Sequence, residues 1–367
     1  METEHASTDQ RPLAAAESNR RSCCFRLCCW FLPYLVWNRV TKIVLALFVV
    51  LLVVCTADVV YETVTPGPSD HGPPSPDGFA GYYQAEALKY LQYARAAFCN
   101  EARILKWDCG SICEAVPVTA GAVRFLGPGS AYSVQGFIAA LPNNDSAAPV
   151  RCVISFRGSV PLGNWLADSK AFSIDWPYQG SWCSLCKVHH GFAGAYEELK
   201  GPMLSALKEL NCSEAAATGH SLGAALATLA ALELRAVWGM KVEPVFLFGS
   251  PRVGNFAFAQ TFAEHGHKQG ASPPAWRVVH YHDIIARLAP VWLDYEHVSR
   301  EVYYYTRAED VYRVCQDEDE DDDCSAGIHK RACVNADHVK YLNLTLMSGR
   351  MEASCIGTVT PSSEMHV

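Results

Sequence analysis

Apolar and polar positions divide the chain into stretches of different character. From Ile43 to Ala57 the run IVLALFVVLLVVCTA is unbroken and apolar. Continued past Asp58 to Val60, it is just long enough to cross a bilayer core as a helix, so 43–60 is expected to be a transmembrane signal anchor. Beyond it, 61–81 includes TPGPSDHGPPSPDGFAG, whose five prolines make a semi-rigid spacer. The pattern of a folded domain then begins and is expected over 82–356, with 357–367 as a flexible tail. Within it, AAATG reads as a short buried strand, and LGAALATLAALELRAVW, rich in Ala and Leu, as a helix of about four turns. Two later runs, VFLFGS and AWRVVHYHD, carry the β-branched and aromatic residues of strands, the second stopping at Asp283.

Between the Ala-rich strand and the helix stands GHSLG, Gly219 to Gly223. Strand, tight turn and helix form a nucleophile elbow, in which flanking glycines are needed because side chains there would strike neighbouring backbone. Ser221 is therefore the candidate nucleophile, and the N–H of Leu222, at the helix N-terminus, is a candidate oxyanion donor. The order serine, acid, histidine along such a chain points to Asp283 at the end of its strand and to His338 in NADHVKYL. An α/β domain with a mainly parallel central sheet is the architecture this implies.

The stretches AAFCN, VISFRGS, NWLAD, VHHGFAGAY, TGHSLGAALATL, FGSPRVGN, HYHDIIARL and ADHVKYL follow one another in this order. Together they resemble the fungal-type class 3 lipases over nearly all of 82–356. The resemblance implies an α/β-hydrolase fold with Ser221, Asp283 and His338 as catalytic residues and Ser159, ending FRGS, as the second oxyanion donor. It also implies a lid between FRGS and VHHGF, in VPLGNWLADSKAFSIDW. As a short amphipathic helix this stretch would turn Leu162, Trp165, Leu166, Phe172, Ile174 and Trp176 toward lipid, with Gly163 as a hinge. The family's disulfide pattern implies Cys99–Cys355, Cys109–Cys113, Cys183–Cys186 and Cys315–Cys324, leaving Cys152, Cys212 and Cys333 as an odd set.

Composition and charge narrow the setting. Sixteen cysteines favour disulfides in an oxidising compartment over a reduced cytosol. Basic residues before the apolar run and acidic ones after it put 1–42, a Cys- and Arg-containing tail, in the cytosol and the domain on the lumenal or extracellular side. Cleavage near Ala57, followed by secretion, is the alternative. Sequons at Asn144, Asn211 and Asn343 suit a glycosylating lumen, and CCFRLCC suits either palmitoylation or free thiols. The net charge of −8 disfavours nucleic acid as a partner. Much of it comes from DEDEDDD, 317–323, which matches no EF-hand spacing and is expected to be a solvated loop. Neither a metal nor a cofactor is expected. The expected activity is carboxylic ester hydrolysis, as a lid-gated lipase on acylglycerols at a membrane or lipid-droplet surface. An esterase for soluble or aromatic esters and an inactive lipid-binding protein are the alternatives.

Overall fold

Strand-forming runs alternate with helical ones along the domain, and the strands gather into one sheet. In the computed structural model the described residues are 81–143, 145, 148–158, 172–176, 183, 185–298, 300–309, 311–315, 320–328, 335–346 and 355. The expected membrane segment 43–60 and the linker up to residue 80 lie outside them. Among the described residues no helix is long and apolar enough to cross a membrane.

The strands are β1 (Val123–Leu126), β2 (Gly136–Ala140), β3 (Arg151–Phe156), β4 (Ser173–Asp175), β5 (Lys187–His189), β6 (Glu214–His220), β7 (Lys241–Phe248), β8 (Trp276–His280), β9 (Glu301–Tyr304), β10 (Arg313–Val314), β11 (Lys340–Tyr341) and β12 (Leu344–Thr345). Eight of them form a sheet in the order β1-β2-β3-β6-β7-β8-β9-β10. Its centre, from β3 to β9, is parallel, and antiparallel strands complete both edges. β4 pairs with β5, and β11 with β12, as separate antiparallel hairpins.

The helices are α1 (Gln84–Ala96), α2 (Glu101–Lys106), α3 (Ser111–Glu114), α4 (His190–Glu209), α5 (Leu222–Ala236), α6 (Phe256–Lys268) and α7 (Asn335–His338). Both faces of the sheet are covered, so its central strands are apolar on both sides rather than alternating with polar residues. Ile154, Ala217 and Leu247 join the core beneath α4, α5 and α6. Their neighbours Val153, Ala216 and Phe246 join a second core beneath α1 and α3. The alanines of β6 keep the middle of the sheet thin, so that α5 packs closely with 14 of its 15 residues buried. Asn255 caps α6 by accepting from Phe258 N–H at 3.1 Å. It also accepts from Lys187 N–H at 3.0 Å, fastening β5 to the start of that helix.

Five disulfides staple these layers. Four are those implied by the family pattern, Cys99–Cys355, Cys109–Cys113, Cys183–Cys186 and Cys315–Cys324. The fifth joins Cys152 of β3 to Cys212 just before β6. It pairs two of the three cysteines left unassigned by the sequence; Cys333 lies outside the described residues. Cys152–Cys212 closes a loop with a sequence separation of 60 residues. The chain-entropy relation gives such a loop about 4 kcal/mol of stability. Cys152→Ala/Cys212→Ala should therefore lower the unfolding free energy extrapolated from urea titration by about 4 kcal/mol; equal extrapolated values would show that the bridge carries no stability.

Candidate active site

Ser221 interrupts β6 and α5 with a left-handed φ of 59°. Its N–H bonds Phe248 O of the neighbouring strand at 2.9 Å, which fixes the turn to the sheet. The strained turn is possible only because its flanks lack side chains. A Cβ on Gly219 would lie 2.3 Å from Gly223 backbone, and one on Gly223 would lie 2.1 Å from Phe156 O. Gly158 also passes close: its Cβ would lie 2.8 Å from His220 O and 3.1 Å from Ser221 Cβ. Ser159, the expected second oxyanion donor, lies outside the described residues, one position beyond Gly158. Leu222, the other expected donor, is the first residue of α5.

Asp283 stands three residues past the end of β8 and is buried. Its Oδ2 accepts from His338 Nδ1 at 2.7 Å and from the Tyr341 hydroxyl, and its Oδ1 accepts from Ile285 N–H at 2.7 Å. Burial pushes the carboxyl pKa up. The imidazole charge and the donated hydrogen bonds more than reverse this, holding it below the usual value. Burial and the adjacent carboxylate push Tyr341 far above its ordinary pKa, so the hydroxyl keeps the proton it donates. With an ionised carboxylate on Nδ1, the proton of a neutral His338 is held there and Nε2 is left basic. That Nε2 is buried without a hydrogen-bond partner among the described residues.

The backbone carrying His338 is anchored by two further histidines. His220 Nε2 donates to His338 O at 2.8 Å, and His280 Nδ1 donates to Asp337 O at 2.8 Å. Burial, then the charge of His338, depresses the His220 pKa to about 3, so this ring stays neutral in any working buffer. Its centroid is 4.4 Å from that of His338, which places the His338 ring against the residue preceding Ser221. Gly249 makes room for the cluster. A Cβ there would lie 2.8 Å from both Asp283 Oδ2 and the Tyr341 oxygen and 3.0 Å from His338 Cε1.

The sequence reading did not single out Tyr341, His220, His280 or Gly249 as site residues. Tyr341 is within the quoted ADHVKYL, but only the fold brings its hydroxyl to a carboxylate 58 residues away. Of the expected lid, Leu162, Gly163, Trp165 and Leu166 lie outside the described residues. The end of that stretch departs from a single amphipathic helix. Phe172 is exposed, Ser173–Asp175 form β4 with Ile174 half-buried, and Trp176 is buried edge-on to Phe258 at 5.4 Å. Alternation in SIDW suits a strand that turns Trp176 into the core. Asn211 and Asn343 are exposed, and Asn144 lies outside the described residues.

A strained serine between strand and helix, beside a buried carboxylate–imidazole pair on a mainly parallel sheet, defines an α/β-hydrolase-like domain. The family model "Lipase (class 3)" matches residues 153–292, a span that includes Ser221 and Asp283. A lipase of Rhizomucor miehei is 33% identical over 198 residues, 52% of this chain and 52% of that protein. The secreted mono- and diacylglycerol lipase 1 of Fusarium solani is 34% identical over 224 residues, 58% of this chain and 61% of that protein. The secreted mono- and diacylglycerol lipase A of Penicillium cyclopium is 30% identical over 233 residues, 62% of this chain and 70% of that protein. The solved triacylglyceride lipase of Rhizomucor miehei superposes with a TM-score of 0.59 at 25% identity, covering 73% of this chain and 98% of that one. The chain belongs to the fungal-type class 3 lipase family. It spans 52% and 61% of the lengths of the first two relatives named.

The donors around Asp283 have a consequence for stability. A carboxyl held below its ordinary pKa contributes stability that is complete above the unfolded value, about 3.9, and fades as pH falls through the folded one. Tyr341→Phe removes one donor to the charged form and should cost about 2 kcal/mol at neutral pH. Its deficit relative to the unaltered protein should shrink below about pH 4 as Asp283 takes up a proton in both. Denaturant titrations at pH 7 and pH 3 measure this; an equal deficit at both would show that the hydroxyl does not support the ionised carboxylate.

Proposed function

We propose that this protein is a serine carboxylic ester hydrolase, a lipase acting on acylglycerols. The observation that carries the proposal is the buried His338–Asp283 pair, at 2.7 Å, packed against the residue before a conformationally strained serine. Ser221 Oγ attacks the ester carbonyl while His338 Nε2 takes its proton, and Asp283 stabilises the resulting imidazolium. The Leu222 N–H at the start of α5, together with Ser159, receives the negative charge that develops on the carbonyl oxygen. His338 then returns the proton to the departing alcohol. Water, activated in the same way, hydrolyses the acyl-enzyme.

Acylglycerol as substrate class is supported by the relatives, which are named mono- and diacylglycerol lipases and a triacylglyceride lipase. Leu162, Trp165, Leu166 and Phe172, with Gly163 as hinge, act as the lid that opens at a lipid surface. The five disulfides support a secretory-pathway location, as do relatives named as secreted. Segment 43–60 tethers the domain on the lumenal or extracellular side, and cleavage near Ala57 would release it. Asn144, Asn211 and Asn343 carry glycans there.

Hydrolysis of a short-chain triacylglycerol, titrated through its solubility limit, tests this reading against Ser221→Ala. The rate should jump when droplets appear and fall by at least about 10³-fold in the variant. A rate that saturates below the limit would assign an esterase for soluble substrates. Equal rates for the two proteins would leave a lipid-binding protein.

A further inference from the structure

The acidic run 317–323 has no part in the mechanism above, and its residues Glu320 to Asp323 are among those described. The Cys315–Cys324 disulfide closes the loop that carries it. Asp322 and Asp323 face solvent, as expected of a charged loop. Glu320 does not. Its two carboxylate oxygens accept from Nε and Nη2 of Arg252, with side chains only 17% and 3% exposed. A two-pronged pair of this kind is the directional form of a guanidinium–carboxylate contact.

Arg252 comes from FGSPRVGN, between β7 and α6. Its Nη1 donates to Arg287 O at 2.7 Å and Ala289 O at 2.8 Å. These carbonyls end the segment that begins at Asp283. Within it, the 3-10 turn Ile285–Arg287 starts with the N–H that donates to Asp283 Oδ1. The same turn is held at Ala286 O by His297 Nε2 at 2.7 Å. Arg287 Nη1 in turn donates to Ser325 O, the residue after Cys324. Ala286 also packs in one apolar cluster with Cys315 and Cys324. The disulfide-closed acidic loop and the turn beside the proposed catalytic acid are thus joined by polar and apolar contacts together.

We propose that Glu320 is a positioning residue for this hydrolase: through Arg252 it fixes the turn whose N–H orients the Asp283 carboxylate toward His338. The inference rests on Asp283 being the catalytic acid. Asp283 Oδ2 faces His338 and Tyr341, so the Ile285 N–H on Oδ1 sets the rotation of the carboxyl group. Without Glu320, a buried guanidinium lacks its counter-charge and must turn toward water. Arg287 O and Ala289 O then lose their donor, and the turn loses its outer support. The effect falls on the chemical step, because Glu320 and Arg252 act on the triad's geometry and not on substrate contacts.

The test uses the full chain as unaltered protein, Glu320→Gln, Glu320→Asp and, as a charge control, Asp322→Asn. Two soluble probes are read: kcat and KM on p-nitrophenyl butyrate, and the rate at which a p-nitrophenyl phosphonate labels Ser221. Glu320→Gln should lower kcat and the labelling rate about tenfold with KM within about twofold. Glu320→Asp should recover most of that loss, and Asp322→Asn should leave both rates unchanged. Unchanged rates in Glu320→Gln, an equal loss in Asp322→Asn, or a raised KM at constant kcat would each overturn the inference. Should Glu320→Gln fail to fold, Glu320→Asp decides: a partial fall in kcat at constant KM supports the role, and none overturns it. Unaltered protein that neither turns over nor becomes labelled would overturn the triad reading, and this inference with it.

Discussion

A carboxylate can stay ionised in a dry interior only where donors replace its water, and the architecture around Asp283 is arranged to supply them. Three groups converge on its two oxygens: the His338 ring, the Tyr341 hydroxyl and the Ile285 N–H. Two of them come from the single segment 338–341, so the ion holds this C-terminal part of the chain against the end of β8. His220 and His280 extend the same network by binding the two carbonyls at Asp337 and His338. Remove the charge and the reason for this convergence disappears.

The geometry needs a rigid mount, and the sheet provides it through small residues. Ala215 and Ala217 in β6, and the glycines at 219 and 223, let α5 approach the strand closely. The resulting contact holds Ser221 at a left-handed φ that a looser packing would relax. Gly249, just past the end of β7, does the same for Asp283 and His338, since any side chain there would occupy the space they share. Ser221 and Asp283 therefore follow β6 and β8, parallel strands on either side of β7, at the sheet edge where open α/β folds display their chemistry, and α7 brings His338 to them.

Disulfides and ion pairs tie the outer segments to this mount. Cys99–Cys355 joins the region before α2 to the chain beyond β12. Arg277 and Glu301, both buried, pair at 2.9 Å across β8 and β9. Ser325 N–H donates to the same Glu301 at 3.1 Å, so the chain following the acidic loop is also secured to the sheet.

The sequence by itself determined what depends on local chemistry. GHSLG between an Ala-rich strand and an Ala/Leu-rich helix specifies the elbow, because only glycine tolerates the close approach on either side of Ser221. The runs leading to Phe248 and Asp283 specify strands through their β-branched and aromatic residues, and the order of the motifs placed Asp283 and His338 after the serine. Tertiary structure decided what depends on distance in space. The partner of Cys152, the burial of Trp176, the hydroxyl of Tyr341 on Asp283 and the grip of Glu320 on Arg252 all join residues far apart in the chain. No local pattern encodes such contacts. A tyrosine or glutamate has the same propensity whether it faces solvent or a buried partner, and only the packing of the sheet, its helices and its loops selects which.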